Sequence, residues 1–439
     1  MTQPIKGFSK LSKEDKITWI AENYTSDARK TSEILRQYWN DDKQLQQLHD
    51  EFIENTISNY YLPFGIAPNF LINNKLYAIP MAIEESSVVA AASKAAKFWL
   101  DRGGFKTKIL GTQKIGQVHF FYTGDSKKLT AFFKKTKASF FDESKPLTKK
   151  METRGGGISS IELRNMTQKL PNYYQLHCTF ETQDAMGANF INSCLEQFAT
   201  TLEEKATIEG LISEGDSLEV VMSILSNYVP NCLVRAEVSC PISELDLHKD
   251  VSPEKSAEKM VQAVAIANAE PHRAVTHNKG IMNGVDAVIL ATGNDFRAVE
   301  AGVHAFAAKT GSYNSLTEAS IENGVFKFWI EIPLALGTVG GLTSLHPMVH
   351  LAHEILQNPS AKELMQIVAV AGLAQNFAAL SSLVTTGIQE GHMKMHLLNI
   401  LNQMKATNDE KLTLVSYFKD NTATHSAVVE ALDKLRENL

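Results

Sequence analysis

Four groups of titratable side chains lie in surroundings that suit proton transfer or the stabilisation of developing charge. Glu84 and Glu85 precede a run of small residues, either as helix-start acids favoured by the helix dipole or as a desolvated proton donor. Lys279 stands between an asparagine and a glycine in a predicted turn, where a lysine is usually exposed, but the low charge of the surrounding sequence favours a buried, functional ammonium. Asp295 could pair with that ammonium, or it could cap the helix that follows. His392 adjoins a glycine, as a proton donor on a moving segment would.

A candidate phosphate site lies at residues 184–189, between a predicted strand and a predicted helix. Asp184 can cap this helix, and Gly187 lets a ligand approach the backbone closely. The first N–H groups of the helix then suit a phosphate, although a plain helix start with a packing glycine has the same pattern. The run is not the G-x-G-x-x-G fingerprint, which disfavours a Rossmann domain. Together with the four titratable groups, it favours a carbonyl reduction centred on the lysine.

Two other groups of charged or metal-binding side chains have simpler explanations. Eight lysines lie between residues 127 and 150, before Arg154 and three glycines, and they fit either phosphate binding or a solvated helix face. Two groups of histidines lack the H-E-x-x-H pattern of a zinc site, so no metal is predicted: His392 with His396, and His346, His350 and His353.

The composition is that of an ordinary soluble globular protein. Of 439 residues, 44% are hydrophobic and 21% are charged, and 43 basic against 49 acidic side chains give a net charge of −6. This balance argues against a protein dominated by binding to nucleic acid or to anionic membranes. The first residues lack the apolar core of a secretory signal, and the apolar stretches are too interrupted to predict a membrane span. Four cysteines without a C-x-x-C pair favour a reducing cytoplasm.

Helical and strand patterns follow one another in blocks. Residues 11–60 have helical spacing, and residues 62–82 combine short strands with an Asn-Asn turn. Residues 115–220 mix alternating strands with helices, which predicts a compact α+β domain with a largely antiparallel sheet. The material on either side is similar in style, so this domain is predicted to be an insertion.

The last third of the chain is predicted to be mostly helical. Residues 285–295 are predicted to form a strand that ends in a turn, followed by a helix over 296–311. The clearest helix, 361–385, begins with an S-x-x-E capping box at Ser360. It is apolar nearly all round, as a helix buried in the middle of a large domain would be.

These motifs, in their order along the chain, resemble the 3-hydroxy-3-methylglutaryl-coenzyme A (HMG-CoA) reductases, and specifically the soluble bacterial class II form. The resemblance runs from about residue 8 to the end. It is carried by D-A-M-G-A-N at 184–189, T-H-N-K-G-I-M-N-G at 276–284, A-T-G-N-D at 291–295, E-G-H-M-K-M-H at 390–396, L-P-F-G-I-A-P-N-F at 62–70 and E-E-S-S-V-V-A-A-A-S at 84–93.

The resemblance implies two successive hydride transfers to one thioester, giving mevalonate and free coenzyme A. Lys279 would stabilise the oxyanion, and Asp295 would orient the lysine. Glu85 would donate a proton to the aldehyde, and His392 would protonate the coenzyme A thiolate. Four further residues would bind the HMG group: Ser87, Arg273, Asn283 and Asn376.

The resemblance also implies a nicotinamide nucleotide, bound by Asp184, Met186, Gly187 and Asn189. In the NADH-using pattern, an aspartate seven residues before the triple glycine accepts from the ribose hydroxyl and repels a 2′-phosphate. This chain has Thr148 there, followed by Lys149 and Lys150. NADPH is therefore the predicted cofactor, with NADH tolerated.

The implied architecture is an α+β fold of three parts. A large helix-rich substrate domain with the buried central helix would comprise residues 1–113 and 221–387, and an inserted non-Rossmann nucleotide domain would comprise 114–220. Residues 388–439 would form a mobile helical flap, consistent with the glycines at 387 and 391. Family members are homodimers with the active site between subunits, so a homodimer, or an assembly of dimers, is expected.

Two other functions are compatible with the residues. A coenzyme A thioester transferase or lyase could use the same lysine and histidine without a nicotinamide nucleotide. A coenzyme A-binding scaffold would need no catalytic residue at all.

Overall fold

The computed structural model describes residues 4–385, 387, 397–398, 400–418, 421 and 423–437. The chain divides into two compact units, Met1–Pro63 and Phe64–Leu439. Each unit is described below on its own.

The first unit is helical, as predicted. It contains α1 (Lys13–Tyr24), α2 (Ala28–Gln37) and α3 (Lys43–Asp50). Ser12 caps α1 by accepting a hydrogen bond from the Asp15 N–H at 3.1 Å. The helical pattern ends earlier than predicted, since no named element lies between Asp50 and Pro63 in the described chain.

The second unit opens with the predicted hairpin of β1 (Phe64–Ile72) and β2 (Lys75–Ala82), which leads into α4 (Val88–Leu100). Asn73 and Asn74 adopt φ values of 47° and 68°, which asparagine tolerates well and which a two-residue hairpin turn of this hand requires.

A four-stranded antiparallel sheet in the order β3-β8-β10-β9 forms one wall of the main core. Its strands are β3 (Lys106–Ile109), β8 (Leu233–Pro241), β9 (Thr317–Glu322) and β10 (Val325–Pro333). The helices of this part are α7 (Pro253–Ala269), α8 (Pro271–Ala291), α9 (Phe296–Ala307), α10 (Pro347–Ile355) and α11 (Ala361–Val384).

A second four-stranded antiparallel sheet is built from residues 114–226, in the order β5-β6-β4-β7. Two helices, α5 and α6, pack on it, and the assembly has its own aromatic core around Phe120, Phe180 and Phe198. The predicted mixture of helices with an antiparallel sheet is confirmed. The elements are β4 (Lys114–Tyr122), α5 (Ser126–Glu152), β5 (Gly157–Asn165), β6 (Tyr173–Glu181), α6 (Ala188–Ile208) and β7 (Leu218–Ser226).

The predicted central helix is present as α11, with the capping box between Ser360 and Glu363. It is long and apolar enough to cross a bilayer by length and composition, yet 78% of its most apolar window is buried inside the protein. It packs closely on α8, because a Cβ atom added to Gly284 would lie only 2.4 Å from the Ala371 carbonyl oxygen. This contact fixes α8 against the core.

The predicted strand over 285–295 is wrong, and so is the predicted turn around Lys279. Residues 285–291 and the residues around Lys279 belong to the single helix α8, which begins after the Glu270 cap and runs to Ala291, and the turn predicted at the end of this stretch follows the helix. A short apolar run of β-branched residues fits a buried helix as well as a buried strand, so periodicity alone could not separate them. Gly284 allows the close packing of α8 on α11, whereas a Cβ added at Gly280 would meet no atom within 4 Å and Gly293 lies in the turn after the helix.

The C-terminal residues form a separate small cluster. It includes α12 (Asn408–Tyr417) and α13 (His425–Glu437), which pack around Leu401, Val428 and Leu432. The four cysteines are free and buried, namely Cys178, Cys194, Cys232 and Cys240.

Candidate active site

An ion pair joins α8 to the loop that precedes α4. The Lys279 ammonium lies 2.8 Å from the Glu85 carboxylate, and the two side chains are 61% and 40% exposed. The prediction that Lys279 is buried is therefore wrong for a single chain. The sequence indicated low charge around the lysine but not the direction of its side chain. The pair brings an acid and a cation together on an accessible surface.

The loop beside this pair ends in a strained backbone. Ser87 adopts φ +74°, a left-handed conformation that is unfavourable for serine, and it stands at the N-cap of α4. Its hydroxyl accepts no capping bond from α4 in the described structure, so the first N–H groups of that helix lack the usual side-chain partner. Strain and uncapped donors next to an acid–lysine pair are typical of a binding site.

Two more predicted residues lie on α8. Asn283 follows Lys279 by one helical turn and therefore lies on the same face. Arg273 is half-buried, and burial lowers the pKa of its guanidinium. Among the described residues, this guanidinium has no ion-pair partner. An unpaired, partly desolvated arginine suits a carboxylate ligand.

Asn376 lies in the interior on α11 and not at the surface. Its amide donates to the His277 carbonyl at 3.4 Å and accepts from the Thr317 hydroxyl at 3.0 Å. Because Thr317 gives its single proton to Asn376, it must accept from Nε2 of His277, 2.6 Å away. Burial lowers the pKa of His277 to about 3, so the ring is neutral. Asn376 thus holds α8, α11 and β9 together.

Asp295 does not reach Lys279 within one chain. Its carboxylate caps α9 through the N–H groups of Arg297 and Ala298, and it pairs with the Arg297 guanidinium at 3.0 Å. Helix α8 continues from Lys279 for twelve residues to Ala291, which is about 18 Å at 1.5 Å per residue. The loop stays at that end of the helix, since Asn294 N–H bonds to the Ile289 carbonyl. The capping role that the sequence left open is the one observed.

The predicted phosphate site begins in the segment of residues 182–187, called the phosphate turn below, which joins β6 to α6. Asp184 does not cap α6. That position belongs to Gly187, with φ +95°, where an added Cβ would meet Thr182 at 2.5 Å. The Asp184 carboxylate instead accepts from the Ala361 N–H at 2.8 Å and so binds the start of α11. Met186 lies in the turn, and Asn189 is exposed in the first turn of α6.

The three residues predicted to select NADPH have different surroundings. Thr148 is only 1% exposed, so it is not accessible to a ligand. Lys149 and Lys150 are exposed in the last turn of α5, shortly before the triple glycine. That glycine turn contacts the phosphate turn, because Gln183 donates to the Gly155 carbonyl at 2.7 Å.

His392, His396 and Gly391 lie outside the described residues. The described part of the chain contains no group of three or more His, Cys, Asp or Glu residues arranged to hold a metal ion.

Comparisons with known proteins decide the family. The sequence profile of the family described as hydroxymethylglutaryl-coenzyme A reductase matches residues 13–397. This chain belongs to that family.

The relatives and solved structures agree with this assignment. The chain is 37% identical to the 3-hydroxy-3-methylglutaryl-coenzyme A reductase of Archaeoglobus fulgidus, over 99% of this chain and 95% of that protein. The probable reductase of Borreliella burgdorferi is also 37% identical, over 81% of this chain and 80% of that protein. The reductase structure from Streptococcus pneumoniae has a TM-score of 0.73 at 34% identity and covers 99% of this chain and 100% of that one. A class II structure from the same organism, bound to NADPH in open conformations, has a TM-score of 0.72 at 35% identity, over 93% and 99% of the two chains.

Sequence reasoning missed two groups around the reductase site. Lys114 begins β4 with a buried ammonium that bonds to the phosphate turn. The alternation along β4 could have indicated that its first residue points inward. His277 was quoted only as part of a motif, although it links Asn376 to the helix that carries Lys279.

Proposed function

We propose that this protein reduces HMG-CoA to mevalonate and coenzyme A with two molecules of a reduced nicotinamide nucleotide, in the mevalonate route to isoprenoids. The observation that carries the proposal is the ion pair of Lys279 with Glu85, beside the uncapped amino terminus of α4. A cation and an acid in contact can hold a developing oxyanion and deliver a proton to it. Membership of the reductase family identifies the substrate.

The proposed residues act at successive steps of the reaction. Lys279 stabilises the oxyanion that forms when hydride reaches the thioester carbonyl carbon. Collapse of this adduct breaks the carbon–sulfur bond, and His392 protonates the leaving thiolate so that it does not add again. A second hydride then reduces the aldehyde, and the alcohol oxygen takes its proton from the pair of Glu85 and Lys279. The nicotinamide nucleotide supplies the two hydrides when it is bound.

The substrate is held by further polar groups on α8 and at the start of α4. Arg273 offers an unpaired guanidinium to the free carboxylate of the HMG group, and Ser87 and Asn283 offer polar atoms near Lys279. Asn376 acts one layer deeper, because both ends of its amide already bond to Thr317 and His277. Its contribution is the position of α8.

Asp295 acts in a homodimer, on the site of the other subunit. Within one chain, about 18 Å of helix separates it from Lys279, more than the two side chains span. The pair of Lys279 and Glu85 is also exposed, as expected for a site that one chain does not complete. A second copy would cover the pair and supply the carboxylate.

Mixed dimers test this arrangement. Inactive Lys279→Ala and Asp295→Asn proteins, unfolded together and refolded at equal amounts, would form half heterodimers with one intact site of two. The refolded mixture should therefore have about a quarter of the activity of refolded wild-type protein, whereas either variant refolded alone should stay inactive. A mixture as inactive as its parents would show that both residues act within one chain.

The nucleotide binds at the turn of residues 182–187 and the start of α6, in a domain that is not of the Rossmann type. Gly187 leaves room at the helix start, and the uncapped N–H groups of α6 suit a phosphate. NADPH is preferred and NADH tolerated, because Lys149 and Lys150 offer exposed positive charge beside the glycine turn. The similar structure from Streptococcus pneumoniae is described as bound to NADPH.

The architecture is expected to serve this chemistry in three parts. A substrate domain would comprise 1–113 and 221–387, a nucleotide domain 114–220, and a closing flap 388–439, which would carry His392 to the thiolate. The protein is expected to work in the cytoplasm as a homodimer or an assembly of dimers.

The decisive experiment is a spectrophotometric assay of NADPH oxidation on addition of HMG-CoA, with mevalonate and thiol measured as products. Two nucleotides should be oxidised for each thiol released. Lys279→Ala should reduce the rate by about 10²–10³-fold or more while the protein still folds and binds substrate. Thiol release without nucleotide oxidation would instead indicate a transferase or lyase.

A further inference from the structure

The turn proposed to bind the nucleotide is built on a buried ammonium. Lys114 is 5% exposed, and its Nζ donates to the Ala185 carbonyl at 2.8 Å and to the Thr182 hydroxyl. Thr182 is itself buried and donates to the same Ala185 carbonyl at 2.7 Å. The three groups form a closed triangle under the turn. One strand residue thus holds the first residue and the middle of the segment that connects β6 to α6.

The charge of Lys114 is not neutralised by a direct partner. Among the described residues, no carboxylate lies within ion-pair distance of it, and its bonds go to neutral oxygens. Burial lowers the pKa of this lysine, while the charges of Glu181 and Asp184 nearby act in the opposite direction. Taking an unpaired ammonium out of water is unfavourable by several kcal/mol in general, so a neutral residue would suit packing better. The bonds from this lysine to Thr182 and Ala185 therefore serve something other than stability.

The turn itself needs an anchor. Gln183 has φ +50° and Gly187 has φ +95°, so two of its residues are left-handed, and the first is not a glycine. Such a backbone persists only where surrounding contacts hold it. Gln183 also bonds to the Gly155 carbonyl at 2.7 Å, so the shape of this turn sets the position of the glycine turn as well.

The charges around the turn oppose an anionic ligand unless Lys114 is present. Glu181 precedes the turn and Asp184 lies within it, and the Glu181 carboxylate accepts from the Thr112 hydroxyl at 2.7 Å. Two carboxylates near a diphosphate would repel it. The ammonium lies under the same turn with opposite sign.

We propose that Lys114 is a positioning residue for the nicotinamide nucleotide. It holds the turn of residues 182–187 in the binding shape, and it offsets the negative charge of Glu181 and Asp184 toward the phosphates. This inference rests on the proposed role of the turn in nucleotide binding.

Replacement of the lysine by the apolar Lys114→Met tests the proposal in the full-length protein. The dissociation constant for NADPH, from fluorescence titration, should rise at least about tenfold, which corresponds to about 1.4 kcal/mol. The dissociation constant for HMG-CoA and the unfolding temperature should stay near the wild-type values, since methionine removes a buried charge without leaving a large cavity. A residue with only a structural role would change stability and both ligands together.

Lys362→Met is the matched control. Lys362 lines the same small cavity as Lys114 but is exposed, and it has no hydrogen bond to the turn in the described structure. Its loss should change NADPH affinity by less than about twofold, as expected for an exposed charge. Equal NADPH affinity in Lys114→Met and the wild type would overturn the inference, and so would equal losses for both ligands.

A second variant covers the case in which Lys114→Met does not fold. Thr182→Val removes one corner of the triangle and keeps the ammonium. NADPH affinity should again fall while HMG-CoA affinity holds, and unchanged NADPH affinity would contradict the proposal. If the wild-type protein itself fails to bind NADPH, the proposed function fails, whatever the variants do.

Discussion

Two glycines of α8, one turn apart, should respond oppositely to the same substitution. Gly284 faces α11, and an added Cβ would lie 2.4 Å from the Ala371 carbonyl oxygen and 2.9 Å from the Gln375 side chain. Gly280 precedes it by four residues, and an added Cβ there meets nothing within 4 Å. Both lie inside the helix, so the gain in helix propensity is the same for each.

The expected magnitudes follow from these contacts. Glycine to alanine in a helix interior stabilises by about 0.5–1 kcal/mol, which should be the whole effect at Gly280. At Gly284, forcing a methyl group against a backbone carbonyl costs about 1–3 kcal/mol, so Gly284→Ala should be about 1–3 kcal/mol less stable than Gly280→Ala and about 0–2.5 kcal/mol less stable than the wild type. The two helices must separate, and α8 carries Lys279 and Asn283.

Urea unfolding of the ligand-free proteins, followed by circular dichroism, gives the two free energies directly. Gly284→Ala should also raise the KM for HMG-CoA, because the displaced helix moves its polar side chains. The reasoning would be refuted if Gly284→Ala were as stable as Gly280→Ala, since the close contact between α8 and α11 would then not constrain the helix.

Three further predictions concern a buried acid, a strained serine and the cofactor. Burial and the neighbouring Glu300 raise the pKa of Asp286 to about 8 from an ordinary 3.8, so the folded state binds more protons than the unfolded one. The free energy of unfolding should therefore fall as pH rises from about 4 to about 8. In Asp286→Asn this fall should be smaller by about 1–2 kcal/mol, a figure that allows for the partial exposure of the carboxyl group. If the urea midpoint depended on pH equally in the variant and the wild type, this prediction would be wrong. Ser87→Gly should relieve the backbone strain at φ +74° and stabilise the fold by up to about 1 kcal/mol, and it should raise the KM for HMG-CoA because the hydroxyl is lost. Ser87→Ala should raise the KM in the same way without the gain in stability. Replacing Lys149 and Lys150 together by alanine should lower kcat/KM for NADPH about tenfold more than for NADH, and equal losses would exclude a contact with the 2′-phosphate.

Local pattern was sufficient for much of the fold. The capping box at Ser360 and the uniformly apolar run after it predicted α11, and the Asn-Asn pair predicted the hairpin of β1 and β2. Alternating strands predicted the antiparallel sheet of residues 114–226. These features depend on residues close together in the chain, so the sequence states them directly.

The motifs also determined the family and the order of the candidate site residues, since residue types at fixed spacing are properties of the sequence alone. The tertiary structure decided what each residue touches. It placed Lys279 on a helix against Glu85, 194 positions away, and left the pair exposed. In the tertiary structure Asp184 accepts a hydrogen bond from the start of α11, and Thr148 is buried. The surroundings of a side chain depend on which distant element packs against the element that carries it. Lys114, a lysine to which sequence reasoning assigned no special role, is buried for the same reason.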